Sequence, residues 1–335
     1  MKQYFGVENI FDSSRKKISP QSIEDCFIRY PNRMLAEFYE MQTQFVTIRY
    51  QMNLNSETSN ILTLLGSTLH LEIFRMRERN LDFNISLKNF LKINEHIRTN
   101  VDSFEHGHNI VSIVKETGIP KETVRRKLKK LIEKKILCYD KKNKLYSFNL
   151  SEKNEQMFSD FIEKDIESLA KFIMFISKAL KLNLQMKNVV NEIKNRFSFY
   201  YYHYYTYQLK WMKMWRSKIK DIDLIIIAIQ TLIPTLSYND KNLNKKNLDL
   251  DNIHTIIGRT SDEYSKTDKG VGATSISQIT NIPRATCIRK LSKLVKLGML
   301  RRENKTKRYF VNQTTSDRTK NIVTKENIFF TIKNY

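Results

Sequence analysis

Two stretches of the sequence, residues 112–149 and 275–312, carry basic and hydroxyl side chains at matching positions. Arginine can donate two hydrogen bonds to atoms O6 and N7 of guanine, and the threonine methyl group can contact the methyl group of thymine. Lysine and arginine also bind the phosphates of a nucleic-acid backbone. These residue types therefore favour contact with a nucleic acid, provided that one surface presents them together.

A shift of 163 residues aligns the two stretches without a gap, and 16 of the 38 aligned positions are identical. The identities include an Ile-Pro pair, a threonine three residues after the proline, and a tyrosine near the end of each stretch. Chance similarity between two amphipathic helices would not keep these residues in one register. Weaker matches continue upstream, such as Gly107 with Gly270. We infer a duplication that relates two halves, residues 27–150 and 190–313.

Each copy predicts a short helix, a turn, a second helix and a β-hairpin. Ser112 and Ser275 are predicted to cap the first helix, and Ser275 with Gln278 has the spacing of a capping box. The helix should end at Gly118 or Asn281, because both residue types tolerate the left-handed conformation. The hairpin strands are predicted at residues 137–140, 144–149, 300–303 and 307–312.

Apolar residues in the second helix recur at intervals of four and three positions, which predicts one buried face. They are Val124, Leu128 and Leu131 in the first copy and Cys287, Leu291 and Leu294 in the second. The other faces of the helix and the hairpin should contact the ligand. In the first copy the candidates are Lys121, Glu122, Thr123, Arg125, Arg126, Lys129, Lys130, Lys141, Lys142 and Lys144. In the second copy they are Arg284, Ala285, Thr286, Ile288, Arg289, Ser292, Lys293, Lys305, Lys307 and Arg308.

This order of elements resembles the winged helix-turn-helix, the DNA-binding module of bacterial transcription regulators such as the MarR, ArsR and Lrp/AsnC families. The matching residues are T-G-I-P-K-E-T-V-R-R-K-L-K-K-L and T-N-I-P-R-A-T-C-I-R-K-L-S-K-L. The resemblance covers residues 109–149 (the first unit) and 272–312 (the second unit) and identifies a module, not one family. It implies that the second helix of each unit reads bases in the major groove of duplex DNA. Because Glu122 aligns with Ala285 and Arg125 with Ile288, we expect the two units to prefer different half-sites.

The charge distribution agrees with this interpretation. The chain has 58 Lys and Arg against 35 Asp and Glu, a net charge of +23. The first unit contributes 12 − 4 = +8 and the second 10 − 1 = +9, together +17. A lysine-rich genome would spread the excess along the chain, so its concentration favours two nucleic-acid-binding surfaces.

An aromatic run extends from Phe197 to Trp215. It has two interpretations: a platform that stacks on single-stranded bases, or a helix whose aromatic residues pack in the core or against a second subunit. Packing is favoured, because the shift aligns the run with a second apolar and aromatic helix at residues 34–52. A homodimer through this region is one expected consequence.

Several classes of function are not expected. The sequence has no glycine-rich phosphate loop, no GxSxG elbow and no HExxH motif, so we predict no enzyme and no cofactor. Glu105, His106 and His108 form one local polar cluster, for which we expect no metal. Three widely spaced cysteines indicate a reducing compartment, and the longest apolar run, residues 222–233, is too short to span a membrane.

The predicted fold is mainly α, with two winged helix-turn-helix domains joined and flanked by helices. Residues 1–26 form an N-terminal segment, residues 151–189 connecting helices and residues 314–335 a C-terminal tail. The predicted function is sequence-specific regulation of transcription, in the cytoplasm on the nucleoid, with double-stranded DNA and RNA polymerase as partners. Two alternatives remain open: a plasmid- or phage-type replication initiator, and a scaffold whose winged helices bind protein.

Overall fold

The computed structural model describes residues 19–90, 107–149, 151–242 and 270–312. This part of the chain is mainly helical, with two antiparallel hairpins. The elements up to the first hairpin are α1 (Pro20–Arg29), α2 (Pro31–Gln51), α3 (Ser56–Arg79), α4 (Ile110–Thr117), α5 (Lys121–Glu133), β1 (Leu137–Asp140) and β2 (Leu145–Phe148). They are followed by α6 (Glu152–Ala179), α7 (Met186–Asn195), α8 (Phe197–Ile219), α9 (Ile222–Asn242), α10 (Ala273–Thr280), α11 (Arg284–Lys296), β3 (Leu300–Arg302) and β4 (Tyr309–Val311).

The elements repeat at the shift that the sequence predicts. Helices α4 and α10 both have 8 residues, and α5 and α11 both have 13. Gly118 and Asn281 end the first helix of each unit in the left-handed conformation, with φ of 67° and 56°. The same shift places α2 on α8 and α3 on α9. The long helix α6 occupies most of the predicted connecting region.

The two halves exchange helices. Helix α3 packs against α8, and α9 packs against α2, so each half contributes one helix to the core of the other. Because these two contacts are equivalent under the shift, they give the chain an approximate two-fold arrangement. A Cβ atom at Gly66 would lie 2.7 Å from ring atom Cε2 of Tyr205, so the glycine lets α3 approach α8 closely.

The aromatic run forms part of this core. Tyr201, Tyr204 and Tyr205 are buried, and the hydroxyl of Tyr201 donates a hydrogen bond to the carbonyl of Ile162 on α6 (2.9 Å). Phe45 on α2 meets the ring of Tyr204 edge-on at 5.7 Å. These three tyrosines contact the rest of the chain and have no open face for stacked bases.

A buried ion pair joins α2 to α6. The guanidinium of Arg49 donates hydrogen bonds of 2.8 and 2.6 Å to the two carboxylate oxygens of Asp165, and both side chains are at most 5% exposed. The Arg49 guanidinium also lies 3.5 Å from the centre of the Phe45 ring. This geometry satisfies both charges inside the aromatic core.

The predicted N-caps were wrong. The side chain of Asn109 caps α4 by accepting a hydrogen bond from the Ser112 backbone N–H (2.8 Å), and the N-cap of α10 is Gly272. Both helices therefore begin about one turn earlier than predicted, and the Ser275–Gln278 capping box does not form because Ser275 lies inside the helix. Ser112 instead hydrogen-bonds to the ring of His108 (2.8 Å).

The end of the predicted N-terminal segment belongs to the folded core. Helix α1 begins after a capping box at Ser19, and Cys26 is buried. The expectations for residues 1–18, for residues 313–335, and for Glu105 and His106 lie outside the described residues.

Candidate nucleic-acid interface

The apolar stripes of α5 and α11 are buried as predicted. Val124, Leu128 and Leu131 are at most 2% exposed and pack in a cluster that contains Ile61 of α3. Their counterparts Cys287, Leu291 and Leu294 are fully buried. Burial of this one face fixes which side of each helix is left for solvent.

A threonine at the equivalent position of each unit stabilises the turn between its two helices. Thr117 donates a hydrogen bond to the carbonyl of Ile113 (2.6 Å) and accepts one from the N–H of Ile119 (3.2 Å). Thr280 makes the equivalent bonds at 2.7 and 3.2 Å. Sequence reasoning missed this role, although the threonine is among the identities of the repeat.

The structure places the candidate contact residues on the surface. Two of these candidates, Thr123 and Thr286, are half-buried. The exposed ones in the first unit are Lys121, Glu122, Arg125, Arg126, Lys129, Lys130, Lys141, Lys142 and Lys144. Those in the second unit are Arg284, Ala285, Ile288, Arg289, Ser292, Lys293, Lys305, Lys307 and Arg308. Each unit thus presents one exposed face of its second helix and a basic hairpin.

The arginines on these faces differ in how they are held. Arg125 is bonded to Glu122 on the same exposed surface, at 3.0 and 3.2 Å. In the second unit alanine replaces this glutamate, and Arg284 instead donates to the hydroxyl of Thr274 (3.1 Å). Within the described part of the chain, Arg126 and Arg289 have no hydrogen-bond or ion-pair partner. These two equivalent guanidiniums are therefore available to a ligand.

One acidic residue shapes the turn of each hairpin. The carboxylate of Asp140 accepts hydrogen bonds from the backbone N–H and side-chain amide of Asn143 and from the N–H of Lys142, and these bonds lower its pKa. Hydrogen bonds from Thr306 and the Lys305 backbone lower the pKa of Glu303 to about 2. Both carboxylates accept hydrogen bonds within the turns, while the lysines around them stay exposed.

Two other lysines hold the second helices to the core. Lys127 Nζ lies 3.3 Å from a carboxylate oxygen of Glu57, at the start of α3. Its counterpart Lys290 lies 2.6 Å from Asp221 and 3.4 Å from Asp223, at the start of α9. Sequence reasoning did not single them out, although this lysine is also identical in both copies.

His108 has a structural role. Its Nε2 is hydrogen-bonded to the Thr68 hydroxyl (2.6 Å) and its Nδ1 to the Ser112 hydroxyl (2.8 Å), which joins α3 to α4. Burial lowers its pKa. Within residues 19–90, 107–149, 151–242 and 270–312, no group of three or more His, Cys, Asp or Glu side chains is arranged to hold a metal ion.

None of the helices in the described part of the chain is long and apolar enough to cross a membrane. Comparisons of the chain with protein-family models, with curated proteins and with solved structures find no match.

Proposed function

We propose that this protein binds double-stranded DNA sequence-specifically and regulates transcription, using two winged helix-turn-helix units in one chain. One observation carries the proposal: an equivalent face is exposed on α5 and on α11, and on both it presents an arginine with no partner among the described residues, beside a basic hairpin. The buried stripes leave this face of each helix for a ligand. RNA polymerase is the protein partner expected of such a regulator on the nucleoid.

In this proposal α5 and α11 are the recognition helices, each lying in a major groove. Arg126 and Arg289 contact base edges or the adjacent phosphates, and the hairpin lysines contact the backbone. The phosphate contacts supply affinity and the base contacts supply specificity.

The two-fold-like arrangement of helices indicates the form of the target. Proteins that pair two such units by a two-fold axis bind inverted half-sites. Here the two units differ at Glu122 and Ala285 and at Arg125 and Ile288. We therefore propose that one chain binds an imperfect inverted repeat with two unlike halves. A homodimer through the aromatic run would have to use its exposed side chains, because Tyr201 is buried within the single chain.

The experiment is to map the sites that the intact chain occupies in its own cells, and to select duplexes from a random pool in vitro. The matched control is a chain with Arg126→Ala and Arg289→Ala. We expect promoter sites with two unlike halves, which the control no longer occupies. Iterated sites at one replication origin would favour an initiator, and no duplex binding at low salt would leave the scaffold interpretation.

A further inference from the structure

A polar crevice lies beside the second unit, where α3 and α9 begin. It has a volume of about 300 Å³, within the range of small-ligand sites. Three separate segments form it: the start of α3, the turn between α8 and α9, and the part of α11 that carries Lys290 and Lys293. The residues that matter for its chemistry are Glu57, Arg216, Lys220, Asp221, Asp223 and Lys293.

Arg216 is the unusual residue of the crevice. It is only 7% exposed, yet its Nε and Nη2 atoms are buried and have no hydrogen-bond partner in the described part of the chain. Burial lowers its pKa, but a guanidinium stays protonated in proteins. The carboxylates of Glu57, Asp221 and Asp223 lie near enough to favour its charge, but none of them accepts a hydrogen bond from Nε or Nη2. The guanidinium therefore lacks part of the hydrogen bonding that a buried cation needs.

The acidic residues nearby are already engaged. Asp221 and Asp223 contact Lys290, Asp223 also accepts a hydrogen bond from the Ser56 hydroxyl, and Glu57 contacts Lys127. Lys220 and Lys293 are exposed and have no acidic partner among the described residues. Because Asp221 and Asp223 share the one ammonium of Lys290, one carboxylate offsets part of the charge of Arg216, Lys220 and Lys293, and the net charge of these groups remains positive.

Two helices also begin at this crevice. The helix α3 has 24 residues and α9 has 21, and the positive ends of both helix dipoles lie here. Backbone N–H groups at such ends favour phosphate and other anions. The side chains of Asn55 and Asp221 already accept hydrogen bonds from the N–H groups of Thr58 and Leu224, so the remaining N–H groups of these ends add to the charges of Arg216, Lys220 and Lys293.

We propose that the crevice binds an oxyanion of the phosphate class, with the guanidinium of Arg216 as the inner cation and Lys293 as the outer cation. Guanidinium donors match the geometry of phosphate oxygens. The phosphate can come from a small free molecule or from the DNA backbone between two half-sites. Binding of a small free phosphate compound does not depend on the proposed function. Binding of the DNA backbone rests on it.

The position of the site links it to both units. A Cβ atom at Gly118, in the turn of the first unit, would lie 3.5 Å from Cδ of Arg216, and Lys293 belongs to α11 of the second unit. The site has no counterpart by symmetry, since the shift pairs Arg216 with Asn53 and Lys220 with Glu57. One anion per chain would therefore contact the second unit through Lys293 and would be linked to the first only through Arg216, which packs against Gly118.

The first test measures binding of inorganic phosphate by calorimetry, and thermal unfolding in phosphate against chloride at equal ionic strength. The variants are Arg216→Met and, as a control on the exposed side of the same helix, Lys210→Met. We expect phosphate to bind the wild type and the control alike, and Arg216→Met at least about tenfold more weakly. Because phosphate also stabilises proteins non-specifically, the difference between variants is the result. If Arg216→Met does not fold, Arg216→Lys, which keeps the charge but loses the guanidinium, should show the same loss.

The second test measures duplex binding by the same variants at several salt concentrations. If free phosphate does not bind but Arg216→Met lowers the salt slope by about one, the phosphate belongs to DNA. If neither phosphate nor duplex binding depends on Arg216, the inference is wrong while the proposed function stands. If phosphate binding depends on Arg216 but no duplex binds, the proposed function is wrong and the anion site stands.

Discussion

Replacement of Arg126 and Arg289 by alanine, singly and together, separates DNA contact from folding. Neither guanidinium has a partner in the described part of the chain, and both lie on the exposed side of their helices. Alanine and arginine have similar helix propensities, so the free energy of unfolding should change by less than about 0.5 kcal/mol per site. Loss of affinity in these variants would therefore report contact with the ligand.

The expected magnitude follows from the number of contacts. An arginine that contacts a base edge contributes about 1–3 kcal/mol, so each single variant should weaken specific binding by roughly 5- to 150-fold. The two sites belong to different units and share no partner, so their effects should add to about 2–6 kcal/mol in the double variant. A contact with phosphate alone would weaken binding to all sequences equally.

The assay is fluorescence anisotropy on the selected duplex and on a scrambled duplex at one salt concentration. Lys178→Ala is the matched control, because this exposed basic residue lies on α6, outside both units. We expect the control to keep wild-type affinity. If the single and double variants also keep it, with unchanged helical content, contact with DNA through α5 and α11 is refuted.

Three further predictions concern the core that positions the two units. Tyr201→Ala should lower the free energy of unfolding by about 3–5 kcal/mol, because it removes a fully buried ring. Chemical denaturation measures this change. Unchanged stability together with lost binding of single-stranded nucleic acid would contradict the prediction. Asp165→Asn should cost about 3–5 kcal/mol by leaving the Arg49 charge unpaired, whereas Arg49→Met combined with Asp165→Leu should recover most of that loss; equal losses in the two variants would argue against an uncompensated charge. Burial lowers the pKa of His70 to about 3, below its ordinary value of 6.5, so the unfolded chain takes up a proton first and stability should fall between pH 6.5 and 3 by about 1.4 kcal/mol per pH unit. His70→Phe should reduce this slope in urea unfolding at pH 7 and 5, and an unchanged slope would assign it to other groups.

Local periodicity predicted the two units well. The stripe of Val124, Leu128 and Leu131 follows from helical spacing alone, and the left-handed residues Gly118 and Asn281 follow from their chemistry. The caps were wrong because Asn109 and Ser112 lie three residues apart, and both residue types can cap a helix. The choice between them depends on His108, which takes up the Ser112 hydroxyl.

The arrangement of the two halves could not be predicted in the same way. A helix with many apolar residues does not specify its partner, and the pairing of α3 with α8 depends on contacts such as Gly66 against Tyr205. The crevice at Arg216 depends on that pairing, since it joins the start of α3 to the turn after α8, which lies more than 150 residues later in the sequence. Only the identity of Lys127 and Lys290 in the two copies of the repeat pointed to this region.

The most direct test of the central claim is a footprint and titration of one intact chain on the selected duplex, with each half-site scrambled in turn. Separate halves are unsuitable, because α3 and α9 each pack on a helix of the other half. We predict one chain per duplex, protection of both half-sites, and a loss of about 10²–10⁴ in affinity when either half is scrambled. Scrambling should also reduce the magnitude of the salt slope, because that magnitude is proportional to the number of phosphates that the protein neutralises. Unchanged affinity and salt slope after scrambling one half, or two chains on a perfect palindrome, would contradict the claim that one chain reads two unlike half-sites.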